Sequence, residues 1–120
     1  MIEGGCHCGA VRIQVDEAPA TLTECNCSIC RRVGGLWFYP HPRQVRIDGE
    51  AATVTYVQGD RTLALHHCGT CGCTTHWRSL EAGGGDRMGV NARMMAPEVV
   101  AAAKVRRLDG ADTWTYFDEG

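Results

Sequence analysis

Eight cysteines fall into three short groups: Cys6 and Cys8 in "GGCHCGAV", Cys25, Cys27 and Cys30 in "ECNCSICRR", and Cys68, Cys71 and Cys73 in "HHCGTCGCTTHW". Thiols gathered in this way ligate a soft metal or exchange electrons. Cys68-Gly-Thr-Cys71-Gly has the C-x-x-C-G form of a zinc knuckle, in which a turn aims both sulfurs at one point and Gly72 supplies the backbone conformation needed to leave it. One knuckle provides two ligands, and a closed structural zinc site needs four. Cys6 and Cys8 can provide the other pair if their glycine-rich segment turns there. In a straight strand, residues i and i+2 point the same way but stand too far apart to chelate. Cys25, Cys27 and Cys30 are then left as a separate group. Three protein ligands with an exchangeable fourth position are the pattern of catalytic zinc. One closed site and one open site follow from that count.

The compartment bears on how the thiols are used. The opening "MIEGGCHCG" has neither the basic region nor the apolar run of a secretory leader. No stretch approaches the roughly 20 apolar residues of a membrane span, so a cytoplasmic location is expected, with no membrane partner. A reducing cytosol keeps thiols free, which favours metal or redox chemistry over disulfides between the three groups. The formal net charge of −2, with no basic strip interleaved with aromatics, argues against nucleic acid as a partner. A thiol or iron redox protein and a non-catalytic, zinc-stabilised interaction module are the alternatives to an enzyme. The sequence sets no oligomeric state.

These groups must be held in place by the segments between them, which read as strand and turn. "AVRIQVD" alternates, with Val11, Ile13 and Val15 on one face. "QVRIDGEAATVTYV" reads as a hairpin turning at Asp48-Gly49, with Thr53 to Val57 as its second arm. Leu63 and Leu65 share a face in "RTLALHHC", and "RMGVNARMM" alternates through Met88, Val90, Ala92 and Met94. "APEVVAAAK" is the single helix expected, with Pro97 near its first turn. "EAGGGDR" is a loop or tight turn, and "LDGADTWTYFD" a closing turn and strand. The chain of 120 residues, with 44% hydrophobic residues and no linker or repeat, is expected to be one mainly β domain.

The ordered set "GGCHCGAVR", "CNCSICRR" and "HCGTCG", followed by "GVNARMM" and the closing "LDGADTWTYFD", resembles the glutathione-dependent formaldehyde-activating enzyme family, which includes centromere protein V. The resemblance implies a fold of several small antiparallel β-sheets around zinc sites, similar to that of methionine sulfoxide reductase B. It implies a structural zinc held by Cys6, Cys8, Cys68 and Cys71, and a second zinc at the active site held by Cys25, Cys27 and Cys30. It further implies a carbon–sulfur lyase that handles a thiol such as glutathione and an aldehyde such as formaldehyde, by way of an S-hydroxymethyl adduct.

Two features depart from the family pattern: His67, following His66, stands where an aromatic residue is common, and Cys73 is an extra thiol. Cys73 reads as a small half-buried strand residue. His7 and His41 read as surface histidines, and His76 as either a pocket wall or a hydrogen-bonded core histidine. Arg31 and Arg32 are solvated by default but could face an anionic thiolate centre. Asn91 and Arg93 read as surface by alternation and as pocket residues by the resemblance.

Overall fold

In the computed structural model, which describes residues 1–59, 61–81 and 85–117, the alternating segment forms the strand expected of it. Val11, Ile13 and Val15 are buried while Arg12 is exposed. This strand, β2 (Arg12–Val15), lies between β1 (Ile2–Gly5) and β5 (Val45–Asp48) in an antiparallel three-stranded sheet. The larger sheet contains β3 (Thr21–Cys25), β4 (Trp37–Phe38), β6 (Thr53–Val57), β7 (Leu63–Cys68), β8 (Thr74–Ser79), β9 (Met88–Asn91) and β10 (Lys104–Leu108). Their spatial order is β10-β3-β4-β9-β8-β7-β6, antiparallel throughout except for the parallel pair β10–β3. The fold is mainly β.

The two sheets share a core. Ile13 and Val15 of the small sheet meet Leu22, Phe38, Met88 and Val90 of the large one, with Val99 and Val100 of helix α2 (Pro97–Ala102) packed against them. Each such side chain contributes roughly 1.5–3 kcal/mol of burial free energy. Adjacent residues of a strand face opposite ways, so Trp37 turns from Phe38 into a second cluster with Leu65 and Trp77. Ile29, Cys30 and Val33 pack on that second cluster, the last two from the one-turn helix α1 (Cys30–Val33), an element the sequence pattern is too short to reveal. The short helix expected near Pro97 is α2.

Two local expectations are corrected. Asp48-Gly49 does not close a hairpin: β5 pairs with β2 and β6 pairs with β7, so the two arms belong to different sheets. Gly49 adopts φ 82° and packs so closely on the Ala10 carbonyl that a side chain there would collide with it. A 3-10 turn over Glu50–Ala52 then carries the chain from one sheet to the other. The alternation in "GVNARMM" also stops early. β9 is buried on both faces and a 3-10 turn follows at Ala92–Met94, so Asn91 is 2% exposed rather than on the surface. A central strand covered on both sides has no outward face for a polar residue. Residues 82–84 of the expected loop at 81–87 lie outside the described residues.

Candidate metal centres

The glycine-rich segment turns where chelation requires it. Cys6 N–H donates to the Val11 carbonyl at 3.0 Å and Gly9 N–H to the Cys6 carbonyl at 3.1 Å, with Gly9 at φ 82°. The knuckle between β7 and β8 closes in the same way, through Gly72 N–H to the Cys68 carbonyl at 2.9 Å, with Gly72 at φ 81°. These two turns bring the Sγ atoms of Cys6, Cys8, Cys68 and Cys71 within 4.8 Å of one another. Cys8 Sγ lies 3.6 Å from both Cys6 Sγ and Cys68 Sγ. Tetrahedral zinc with bonds near 2.3 Å spaces its sulfurs roughly 3.8 Å apart, whereas a disulfide holds them at about 2.05 Å. The spacing fits a metal. Backbone N–H groups also point at the sulfurs, from Val11 to Cys6 at 3.3 Å and from Thr70 to Cys68 at 3.4 Å. Donors of this kind favour thiolate over thiol. The N–H groups of Cys73 and Cys8 hold the Cys71 thiol down at about 5, and those of Cys71 and Thr70 lower Cys68. Cys73 packs half-buried beside this group as expected, but it is the last residue of the knuckle turn rather than a strand residue, since β8 begins at Thr74.

The second group forms where β3 ends and α1 begins. Cys25 is the last residue of β3 and Cys30 the first of α1, and Arg31 N–H closes the turn on the Cys27 carbonyl at 3.0 Å. The three Sγ atoms lie within 4.8 Å of one another. Cys27 N–H donates to Cys25 Sγ and Cys30 N–H to Cys27 Sγ, each at 3.4 Å. A hydrogen bond from the Cys30 thiol, outweighing burial, brings Cys25 down to about 6, and the same contact pushes Cys30 up. Three sulfurs thus converge with backbone N–H donors aimed at two of them, and thiolates are the ligands a thiophilic cation takes.

The segment expected as a closing turn and strand is, among its described residues after β10, a loop with a single isolated bridge between Leu108 and Tyr116, and this loop completes the site. Asn26 Nδ2 donates to Asp109 Oδ1 at 3.0 Å and Asn26 Oδ1 accepts from Ala111 N–H at 2.9 Å, which pins the loop against the cysteines. Gly110 is buried there and its N–H also lowers Cys25. Cys25 and Cys30 stand in the walls of two depressions. On one side is a recess of about 350 Å³ that includes Arg31, Arg93 and Arg107. On the other is a cleft of about 810 Å³ walled by Trp37, Tyr39, Leu65, Trp77 and Trp114. Arg31 lines the recess together with Cys25 and Cys30, whereas Arg32 turns back to the Ser28 carbonyl at 2.7 Å. Asn91 does not enter the cleft. It bonds the Leu36 N–H and the Thr74 carbonyl and ties β9 to its neighbours.

His76 is a core histidine. It is fully buried, stacks on His66 at 4.3 Å, and bonds Glu50 Oε2 at 2.7 Å and Thr75 Oγ1 at 2.8 Å. Glu50, His66 and His76 offer ligand atoms within 4.8 Å of one another, but Arg78 already grips Glu50 through Nε at 2.6 Å and Nη2 at 3.1 Å. The sequence carries little sign of this network, because Glu50 and His76 stand 26 residues apart. The one available signal was the knuckle itself, whose hairpin sets His66 opposite His76.

The model of the glutathione-dependent formaldehyde-activating enzyme family matches residues 1–110. A curated protein of Halomonas elongata that carries this family's name is 34% identical over 76 residues, covering 62% of this chain and 45% of that protein. The chain thus matches less than half the length of that curated relative. A crystal structure of a Rhodobacter sphaeroides protein superposes with a TM-score of 0.70 at 30% identity, covering 87% of this chain and 99% of the other. With three cysteine groups in the expected order, two of them converging, and a family match over most of its length, the chain belongs to the glutathione-dependent formaldehyde-activating enzyme family.

Proposed function

We propose that residues 1–120 act as one zinc-binding domain that joins a glutathione-like thiol to a small aldehyde, or cleaves the adduct, as a carbon–sulfur lyase. Cys6, Cys8, Cys68 and Cys71 would hold a structural zinc that staples the β1–β2 turn to the β7–β8 knuckle. Cys25, Cys27 and Cys30 would hold the second. The observation that carries this reading is the placement of a three-thiol group, one ligand short of a closed site, in the wall of an open cleft. A zinc held by Cys25, Cys27 and Cys30 would supply the charge that keeps a substrate thiol ionised at neutral pH.

The chain's own groups do the rest. The Cys30 thiol and, to a smaller extent, N–H donors from Cys27 and Gly110 favour the thiolate form of Cys25, and Arg31 and Arg93 offer guanidinium groups to the carboxylates of a glutathione-like thiol. Trp37, Leu65 and Trp77 keep one wall of the cleft dry. In the addition the sulfur–carbon bond forms as the carbonyl π bond opens, and the thiol proton ends on the former carbonyl oxygen; cleavage is the reverse. The reading requires a reducing compartment, and among the described residues no helix is long and apolar enough to cross a membrane.

Metal analysis of protein purified without added zinc is expected to find two zinc ions per chain and no iron. Glutathione should then bind with release of a proton, seen by calorimetry in two buffers of different ionisation enthalpy. Zinc-filled protein that binds no thiol would instead favour an interaction module.

A further inference from the structure

Trp114 stands at the mouth of the cleft, 68% exposed, in a left-handed backbone conformation with φ 59°. A bulky residue adopts that conformation only when its surroundings over-determine it. Here they do. Trp114 N–H donates to the Asp109 carbonyl at 2.7 Å, and the Thr113 N–H and hydroxyl both donate to the Asp109 carboxylate. Asn26 clamps Asp109 and Ala111 from below. The loop therefore holds a large aromatic ring in water beside the thiols, where it gains little from burial. Gly110 lies between ring and sulfur: a Cβ there would collide with Cys25 Sγ and would sit 3.5 Å from the Trp114 ring. Tyr39 and Trp77, which also line the cleft, form an aromatic pair at 6.1 Å.

The lining of this cleft is mostly apolar and aromatic, and its volume of about 810 Å³ has room for more than a one-carbon aldehyde. Apart from the thiols, the charged groups among its lining residues are Glu81 and Arg87, which pair with each other at 3.7 Å. The guanidinium groups suited to carboxylates lie in the recess on the other side of Cys25 and Cys30.

We propose that the aldehyde partner is aromatic: the thiol places its carboxylates toward Arg31 and Arg93, and an aryl aldehyde enters from the opposite side with its ring stacked on Trp114. This inference rests on the reading of Cys25, Cys27 and Cys30 as a thiol-binding site. The product is a thiohemiacetal, in which sulfur is bonded to the former carbonyl carbon and the thiol proton rests on its oxygen; nothing is oxidised or reduced.

The test uses two stable adduct analogues on the zinc-loaded full chain. S-benzylglutathione carries the aryl group and S-methylglutathione stands for the formaldehyde adduct. Calorimetry should show the benzyl compound binding about tenfold or more tightly, since aromatic pairing and apolar burial together are worth at least that factor. Trp114→Ala should remove most of the difference while Trp114→Phe keeps it, and glutathione itself should bind all three proteins equally. Equal affinities for the two analogues, or a preference untouched by Trp114→Ala, would overturn the inference and leave the thiol site standing. Failure of glutathione and of both analogues to bind would overturn the thiol site, and the inference with it.

Discussion

Gly110 lies directly against Cys25, so closely that a methyl group at position 110 would collide with the Cys25 sulfur. The two residues come from distant parts of the chain and meet because β10 runs parallel to β3, with Leu108 opposite Cys25. Gly110→Ala should therefore disturb the three-cysteine group without touching the core. The expected result is loss or weakening of one zinc per chain, or a changed ligand-field spectrum after cobalt substitution, at a nearly unchanged melting temperature. Wild-type metal content and spectrum in this variant would show that the loop does not shape the site.

Cys68→Ser and Cys71→Ser should behave differently. Thiolate–zinc binding contributes ~10 kcal/mol or more in small zinc-dependent peptides, comparable with the whole stability of about 5–15 kcal/mol of an ordinary domain. These variants are expected to be insoluble or to melt far below the wild type. Soluble protein with unchanged melting would rule out the four-ligand structural site.

Cys27→Ser or Cys30→Ser should release about one zinc per chain and leave the strands folded, because α1 is a single turn and the main core lies elsewhere. Metal analysis beside circular dichroism checks both halves of this expectation. Unfolding as severe as in the knuckle variants would make the second group structural as well.

Charge reversal should separate the two adjacent arginines. Arg31 lines the recess beside Cys25 and Cys30, whereas Arg32 is turned to the Ser28 carbonyl. Arg31→Glu is expected to weaken glutathione binding severalfold, from the ~1.5–3 kcal/mol of a charge-assisted hydrogen bond reduced by exposure. Arg32→Glu should leave it near the wild-type value in the same titration.

The Glu50 network makes stability depend on pH. Burial pushes His76 down to about 4 from 6.5. Burial would raise Glu50, but the hydrogen bonds from Arg78 and His76 outweigh it and hold the carboxyl at about 2, below 4.5. Both folded values lie below the unfolded ones, so the unfolded chain takes up protons first and stability falls as pH falls. The His76 contribution is lost between pH 6.5 and about 4, and that of Glu50 between 4.5 and about 2. Glu50→Gln should cost about 1–3 kcal/mol near neutral pH and flatten the lower part of the profile. Denaturant unfolding of both proteins across the range measures this, since acid release of zinc affects both alike. Superimposable profiles would exclude Glu50 from the acid response.

Much of the fold and of the grouping of the thiols was legible because the signals are local. A two-residue period with one apolar face makes β2 a half-buried strand wherever it is placed, and a C-x-x-C-G turn aims two sulfurs at one point whatever surrounds it. Pro97 ahead of an alanine-rich stretch starts a helix for equally local reasons. What the sequence could not show depends on which distant segments meet. Asp48-Gly49 looks like a hairpin turn, but the partners of β5 and β6 are chosen by long-range packing, and the chain there crosses from one sheet to the other. Asn91 looks exposed by alternation and is buried, because a second layer covers its face. The Glu50–His76 contact, the seat of Gly110 on Cys25 and the aromatic cleft beside the thiols join residues far apart in the chain. By itself the sequence determined which atoms could bind a metal, because chelation is set by spacing over a few residues. Only the tertiary structure decided what stands around those atoms, because pairing between distant strands has no period to read.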